Sequence, residues 1–258
     1  MSVLNYLENL EDKLKLTQNE RDSIETSIKT LKTRLLNYFE DSVNDIIVFG
    51  SYNRKTNLCR KADASSDVDI LIVFNDFGNK PQTYIDRLKR FMENKYSTSE
   101  IHQSNPCAIL ELNHIKFELT PGIWSYDKVY KIPDKASSNL DWIYTRPFEL
   151  DNLLQSKSHT MYQKVTRLVK YWNCLNKKYF ASFELEKKVL NTTLYCYSQN
   201  LKENLFQVLK SISSDNTPQY VKDYIKKTKD IIDFIAQNET NYPITSEDQI
   251  KILFKELK

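Results

Sequence analysis

Asp67 and Asp69 stand one residue apart at the mouth of an aliphatic run, Asp67-Val-Asp-Ile-Leu-Ile-Val-Phe74. Side chains alternate faces along a strand, so both carboxylates project to one side while Val68 and Ile70 point to the other. Two carboxylates that close repel each other, and in an apolar setting both ionise only with a cation between them. A bare pair of this kind is also an ordinary solvated strand start, so the pair alone decides nothing. A second segment adds weight. In Ile115-Lys-Phe-Glu-Leu119 the apolar residues share one face, which leaves Lys116 and Glu118 on the opposite one. If this strand pairs beside the first, Glu118 supplies a third carboxylate; otherwise it is a surface acid with Lys116 as neighbour. Three acids on one sheet face are costly without divalent metal, and oxygen ligands with no histidine or cysteine indicate Mg²⁺ or Mn²⁺. Two such ions about 3.5–4 Å apart can clamp the attacking and leaving oxygens of a phosphoryl displacement.

Gly50-Ser51 precedes the acids. Glycine lets backbone approach a polyphosphate closely, and Ser51 offers a hydroxyl and an N–H at the start of a turn or helix. The chain has three glycines, Gly50, Gly78 and Gly122, where average usage of roughly 7% would give about 18. Arg54, Lys55, Arg60 and Lys61 lie between Gly50-Ser51 and the acids. Taken singly, each basic residue reads as part of a solvated loop.

The elements that must position these residues follow from periodicity. Residues 1–41 read as helical, with a capping box at Thr17-Gln-Asn-Glu20 and a stripe of Ile24, Ile28, Leu31 and Leu35. A short strand over 46–49, a polar loop over 52–66 and a buried strand over 68–74 come next. A helix is predicted over 84–95. A hairpin follows, with strands at 108–112 and 115–119 turning at Asn113. Residues 120–150, with Pro121, Pro133 and Pro147, read as irregular. Beyond them Met161, Val165, Leu168, Trp172 and Leu175 repeat at helical spacing. Further helices are predicted over 185–199, 204–211, 218–237 and 246–257. The expected organisation is a lobe over 1–150 that includes the N-terminal helix, and a helical lobe over 151–258.

Composition narrows the class. At 258 residues and 40% hydrophobic, the chain can build one large core or two small ones, and its net charge of +3 does not announce a nucleic-acid binder. The four cysteines form no C-x-x-C pair and His102, His114 and His159 are scattered, which argues against a zinc site or a disulfide framework. No aliphatic run approaches the length of a membrane span, and the N-terminus carries acids among its leucines. A cytoplasmic protein with no membrane association is expected.

These motifs resemble a known family. Phe49-Gly-Ser51, the Asp67-Val-Asp69 pair some fifteen residues on, and the later acid in Phe117-Glu-Leu-Thr-Pro121 are similar to the polymerase-β-like nucleotidyltransferases. More narrowly they resemble the bacterial CD-NTases, relatives of cyclic GMP-AMP synthase and oligoadenylate synthase used in antiphage defence. Tyr130-Lys-Ile-Pro-Asp134, Trp142 and Thr145-Arg-Pro147 look like that family's segment after the third acid. Val169-Lys-Tyr-Trp-Asn173 and Ser182-Phe-Glu-Leu-Glu186 look like its helical-lobe signatures, so the resemblance covers residues 17–200.

The resemblance implies an α+β nucleotidyltransferase core, a mixed sheet flanked by helices, with a long N-terminal helix and a C-terminal helical lobe closing a nucleotide cleft. Asp67, Asp69 and Glu118 would be catalytic and would ligate two Mg²⁺ or Mn²⁺ ions. Gly50 and Ser51 would hold the triphosphate, joined by Lys170 and Ser182 from the helical lobe. Trp172 reads as core, and Tyr126 or Tyr130 as a candidate to stack on a base. The chain departs from the family where Glu118 replaces the usual aspartate. The implied activity is nucleotidyl transfer from a nucleoside triphosphate to a hydroxyl with release of pyrophosphate. The product would be a cyclic or linear oligonucleotide signal read by an effector protein. Other acceptors stay open: a DNA or RNA oligomer, or a protein hydroxyl, including the chain's own tyrosines. Nucleic acid as product or activator, the base, the linkage and the oligomeric state are likewise open. A toxin-modifying enzyme is disfavoured by the helical segment, and a non-catalytic binding module by the retention of all three acids.

Overall fold

The computed structural model describes residues 2–76, 78–104, 106–136, 141–157, 159–197 and 200–257. The first half runs α1 (Val3–Leu14), α2 (Gln18–Phe39), β1 (Val43–Phe49), α3 (Gly50–Asn53), β2 (Asp67–Phe74), α4 (Pro81–Lys95), β3 (Glu100–Ser104), β4 (Cys107–Glu111) and β5 (Lys116–Tyr126). Then follow β6 (Val129–Pro133), β7 (Trp142–Thr145), α5 (Glu149–Gln155), α6 (His159–Leu175), α7 (Ser182–Asn191), α8 (Leu201–Lys210), α9 (Gln219–Asn238) and α10 (Pro243–Leu253). The chain divides into two compact units. One comprises Thr17–Asn57 and Ser65–Glu149; the other comprises Met1–Leu16, Leu58–Ala64 and Leu150–Lys258.

The first unit is built on a mixed sheet in the order β1-β2-β5-β4-β3, with β6 beside β5 and β7 beside β6. Only β2 and β5 run parallel, with Asp69 opposite Glu118 and Phe74 opposite Ile123. The strand between these limits is buried on both faces, since Val68 and Ile70–Phe74 are all at most 1% exposed. Full burial of each such side chain contributes about 1.5–3 kcal/mol. Helices cover one face through aromatic contacts: Phe74 meets Phe39 of α2 at 5.3 Å and Tyr84 of α4 at 5.0 Å between ring centroids. The α2 start is as the sequence predicts. Glu20 N–H donates to Thr17 Oγ1 at 3.3 Å, while Thr17 N–H donates to Glu20 Oε2 at 2.7 Å.

Three expectations are corrected here. Residues 1–41 are two helices, broken at 15–17 by that same capping box. Within the range 120–150 the described residues are not irregular, because β5 continues to Tyr126 and β6 and β7 follow; residues 137–140 lie outside the described residues. Pro121 is tolerated inside β5 because pairing to β4 ends at Leu119 and pairing to β6 begins only at Ile123. A residue without an N–H fits such a gap in the ladder. The loop over 52–66 is not solvated throughout, since Arg54, Thr56, Asn57, Leu58, Cys59 and Ser66 are buried.

The second unit is helical. Val3, Leu7, Leu10 and Leu14 make one stripe along α1, and they share a core with Val165, Leu168, Val169 and Trp172 of α6 and Leu205 and Leu209 of α8. This stripe explains why α1 packs with the C-terminal helices and not, as expected, within a lobe over 1–150. The segment 58–64 joins it: Leu58 lies in the same core and Cys59 N–H donates to the Leu14 carbonyl at 2.9 Å. Buried ion pairs lie in this unit. Arg167 Nε donates to Glu11 Oε1 at 2.6 Å, and Lys170 Nζ lies 3.2 Å from Glu186 Oε2.

Candidate active site

The parallel pairing of β2 with β5 assembles the site. Backbone register sets Asp67 opposite Lys116 and Asp69 opposite Glu118. Alternation along each strand then places all four side chains on one sheet face. The expected third carboxylate is thus beside the first two. That face is neither dry nor fully wet: the Asp67, Lys116 and Glu118 side chains are 27%, 18% and 26% exposed.

Lys116 is the residue that sequence reasoning undervalued. Its Nζ lies 3.2 Å from Asp67 Oδ2 and 2.7 Å from Glu118 Oε1, so one ammonium serves two carboxylates. One positive charge for two negative ones leaves Asp67 perturbed. Burial, then repulsion from Glu118, pushes its pKa up to about 6, and Lys116 only partly opposes this. Burial works to lower the Lys116 ammonium, but the Glu118 and Asp67 carboxylates hold it above its ordinary value. The signal was present in the sequence as the alternation Ile115-Lys-Phe-Glu-Leu119, which puts Lys116 and Glu118 on one face whatever the partner strand.

Gly50 has a reason for being glycine beyond the approach to a phosphate expected of it. Its φ is +72°, and a Cβ there would lie 1.9 Å from Asp69 Oδ2. The missing side chain leaves room for the Asp69 carboxylate, and no L residue could take both that backbone conformation and that contact. Asp69 is therefore seated against the first turn of α3. Ser51 follows in that turn, half-buried, with its carbonyl accepting from Thr56 N–H at 2.9 Å.

A divalent cation suits this face by donor type and charge, since hard oxygens are in register and one ammonium faces two carboxylates. As the side chains stand, they are not gathered as a finished cage. Among the described residues no group of three His, Cys, Asp or Glu side chains converges on one point.

The remaining candidates fall elsewhere. Lys170 and Ser182 belong to the helical unit. Lys170 is buried and held by Glu186, not set on an exposed helix face, and Ser182 is exposed at the first residue of α7. Trp172 is core, as expected: its Nε1 donates to Thr228 Oγ1 at 3.0 Å and its ring stacks on Phe180. Tyr126 is exposed, whereas Tyr130 is buried with Ile47, Leu71 and Val73, so it offers no free face to a base.

A fully buried parallel strand opening on two acids, a third acid in register beside it, and a glycine-serine turn folded against the second acid sit on a polymerase-β-like nucleotidyltransferase fold. Solved structures share the fold. The chain is 12% identical to Vibrio cholerae DncV cyclic AMP-GMP synthase, a prokaryotic cGAS homologue, over 96% of this chain and 94% of that one, with a TM-score of 0.74. It is 17% identical to E. coli MS115-1 CdnC, solved with ATP, over 100% and 98% of the two chains, with a TM-score of 0.72. Residues 1–157 match the Second Messenger Oligonucleotide or Dinucleotide Synthetase domain, and the chain belongs to that family. It is also 24% identical over 219 residues, 68% of its length, to a probable cyclic nucleotide synthase of Bacillus cereus (strain VD146). That match spans 64% of the curated relative's own length.

Proposed function

We propose that this protein is a metal-dependent nucleotidyltransferase that joins nucleoside triphosphates into a cyclic or linear oligonucleotide signal. The observation that carries the reading is the register of Asp69 with Glu118, with Asp67 on the same face. In the reaction the acceptor hydroxyl oxygen bonds to the α-phosphorus, the bond to the bridging oxygen breaks, and pyrophosphate leaves. Asp67, Asp69 and Glu118 would hold two Mg²⁺ or Mn²⁺ ions, which supply Lewis-acid stabilisation at the attacking and leaving oxygens. Glu118 would also orient the acceptor hydroxyl and take its proton. Gly50 and Ser51 would seat the triphosphate at the first turn of α3, where backbone N–H groups are free of helical partners. Lys170 and Ser182 are assigned to the triphosphate by the family resemblance alone, and Glu186 already engages the Lys170 ammonium.

Family membership supports a second-messenger product, and with it an effector protein that reads that product and a role in antiphage defence. Tyr126 is the exposed tyrosine we place nearest this chemistry by sequence, as a stacking platform or a self-acceptor. No described helix is long and apolar enough to cross a membrane.

The test is incubation with each radiolabelled ribo- and deoxyribonucleoside triphosphate in Mg²⁺ or Mn²⁺, with products resolved by chromatography and the protein weighed by mass spectrometry. We expect small nuclease-resistant or phosphatase-sensitive oligonucleotides, absent from a D67N/D69N variant that keeps its fold. Undiminished turnover by that variant would falsify the assignment of the acids. Label found on the protein or in long polymer would replace the signal product with another acceptor.

A further inference from the structure

Lys116 enters none of the roles above, yet it is the residue most tightly built into the site. It stands opposite Asp67 in the β2–β5 register and two residues before Glu118 on the same face, so the sheet itself delivers its ammonium between the two acids. On the other side it stands opposite Glu111 of β4, so acids face it from both neighbouring strands. Its contacts are 3.2 Å to Asp67 and 2.7 Å to Glu118. We propose that Lys116 is a built-in counter-cation: in the metal-free protein its ammonium holds Asp67 and Glu118, and a divalent ion enters by displacing it.

Charge and reach support this exchange, which rests on the reading of the acids as metal ligands. An ammonium and a divalent ion compete for the two carboxylates, because like charges a few ångströms apart repel strongly at a partly desolvated site. Metal binding is then an exchange, and its net free energy is the difference between two occupants of one seat. Lysine suits the role. It is a point charge on a flexible four-carbon stem that can swing aside, whereas an arginine fork would grip the carboxylates bidentately and release them reluctantly. Lys116 would thus position the acids before metal arrives and set how much metal is needed. It is a positioning residue, not a catalytic one.

The test is Mn²⁺ binding to the full chain without nucleotide, followed by electron paramagnetic resonance of free Mn²⁺, for wild type, K116M and K116R. The D67N/D69N protein marks binding elsewhere. We expect K116M to bind Mn²⁺ about tenfold or more tightly than wild type, since the competing charge is gone. We expect K116R to bind more weakly than wild type, since its fork holds both acids. A merely structural lysine would not move the two variants in opposite directions. If K116M does not fold by circular dichroism, K116Q takes its place, and K116R against wild type still gives the sign. Wild-type binding beside a K116M that binds no tighter overturns this proposal and leaves the metal site standing. Failure of all three proteins to bind overturns the metal site and this proposal together.

Discussion

The helical unit and the sheet unit treat charge in opposite ways. In the helical unit Arg167 meets Glu11 with side chains 7% and 1% exposed, and Lys170 meets Glu186 at 7% and 2%. Those pairs are sealed, and each acid has at least one cation to itself on the buried side. On the sheet one lysine answers two acids, a third acid lies beside them against Gly50, and about a fifth to a quarter of each paired side chain is open to water. A sealed, balanced pair is what burial demands of a charge that only supports the fold. An open, unbalanced cluster is costly to the fold and makes sense where a further cation is to arrive. The contrast separates structural from functional charge better than residue type does, since both regions contain a lysine beside glutamate.

The comparison breaks first at Arg167. Removing it leaves Glu11 buried with only Lys15, 3.0 Å away on the solvent side, as partner. We expect Arg167→Met to lower stability by about 3–5 kcal/mol, the usual loss when a buried pair is broken from one side. Lys116→Met should cost about 1 kcal/mol or less, because water reaches both of its acids. Urea unfolding of the two variants beside wild type checks this. Equal losses would mean that the sheet cluster is as structural as the helical pairs.

Much of this was legible beforehand, for a physical reason. Alternation along β2 and β5 fixes which side chains share a face, so Asp67 with Asp69, and Lys116 with Glu118, could each be placed on one face before any coordinates. What alternation cannot give is the strand partner, and with it the register that sets Asp67 against Lys116. It also cannot give contacts made by a missing atom. That Asp69 fills the space of the absent Cβ of Gly50 is a second role for this glycine, which the sequence does not show. The strands β6 and β7 were missed because proline suggested disorder of pattern, where the ladder merely changes partner around Pro121. The reach of α1 into the helical unit was hidden for a related reason. An apolar stripe at Val3, Leu7, Leu10 and Leu14 announces a buried face but not which core buries it.

A smaller effect should separate the acids from one another. Asp69 is seated by Gly50, whereas Glu118 is held by the Lys116 ammonium. Glu118→Gln should therefore keep nucleotide affinity nearly intact while single-turnover transfer slows by roughly 10²-fold, a loss of about 2.7 kcal/mol of transition-state stabilisation. Glu118→Asp should retain part of the rate with a changed preference between Mg²⁺ and Mn²⁺, because its reach is one methylene shorter. Calorimetry with a non-hydrolysable nucleotide beside rapid-quench kinetics makes the measurement. Binding and rate falling together, or a change under about twofold in both, would return Glu118 to the status of an exposed ion-pair partner.

The smallest expected effect is the cost of Asp67 itself in the absence of metal. Its folded pKa, about 6, stands above the ordinary 3.8 because burial and Glu118 disfavour the charged form. The folded state therefore binds this proton more tightly than the unfolded chain does, and the stability contribution falls as pH rises between about 4 and 6. Below that window both states are protonated and nothing is lost; above it the whole penalty applies. A rise of about two units corresponds to about 3 kcal/mol, and with 27% of the side chain exposed a discounted figure of about 1–2 kcal/mol is the fair expectation. Asp67→Asn removes the penalty while keeping the shape. Its melting temperature should match wild type near pH 3.5 and exceed it at pH 7.5, the gap opening through the interval between. Saturating Mn²⁺ should then close the gap at pH 7.5, since the ion stabilises only the protein that still carries the acid. A gap that is constant with pH would place the cost in packing and not in charge, and the sheet cluster would then resemble the sealed pairs of the helical unit after all.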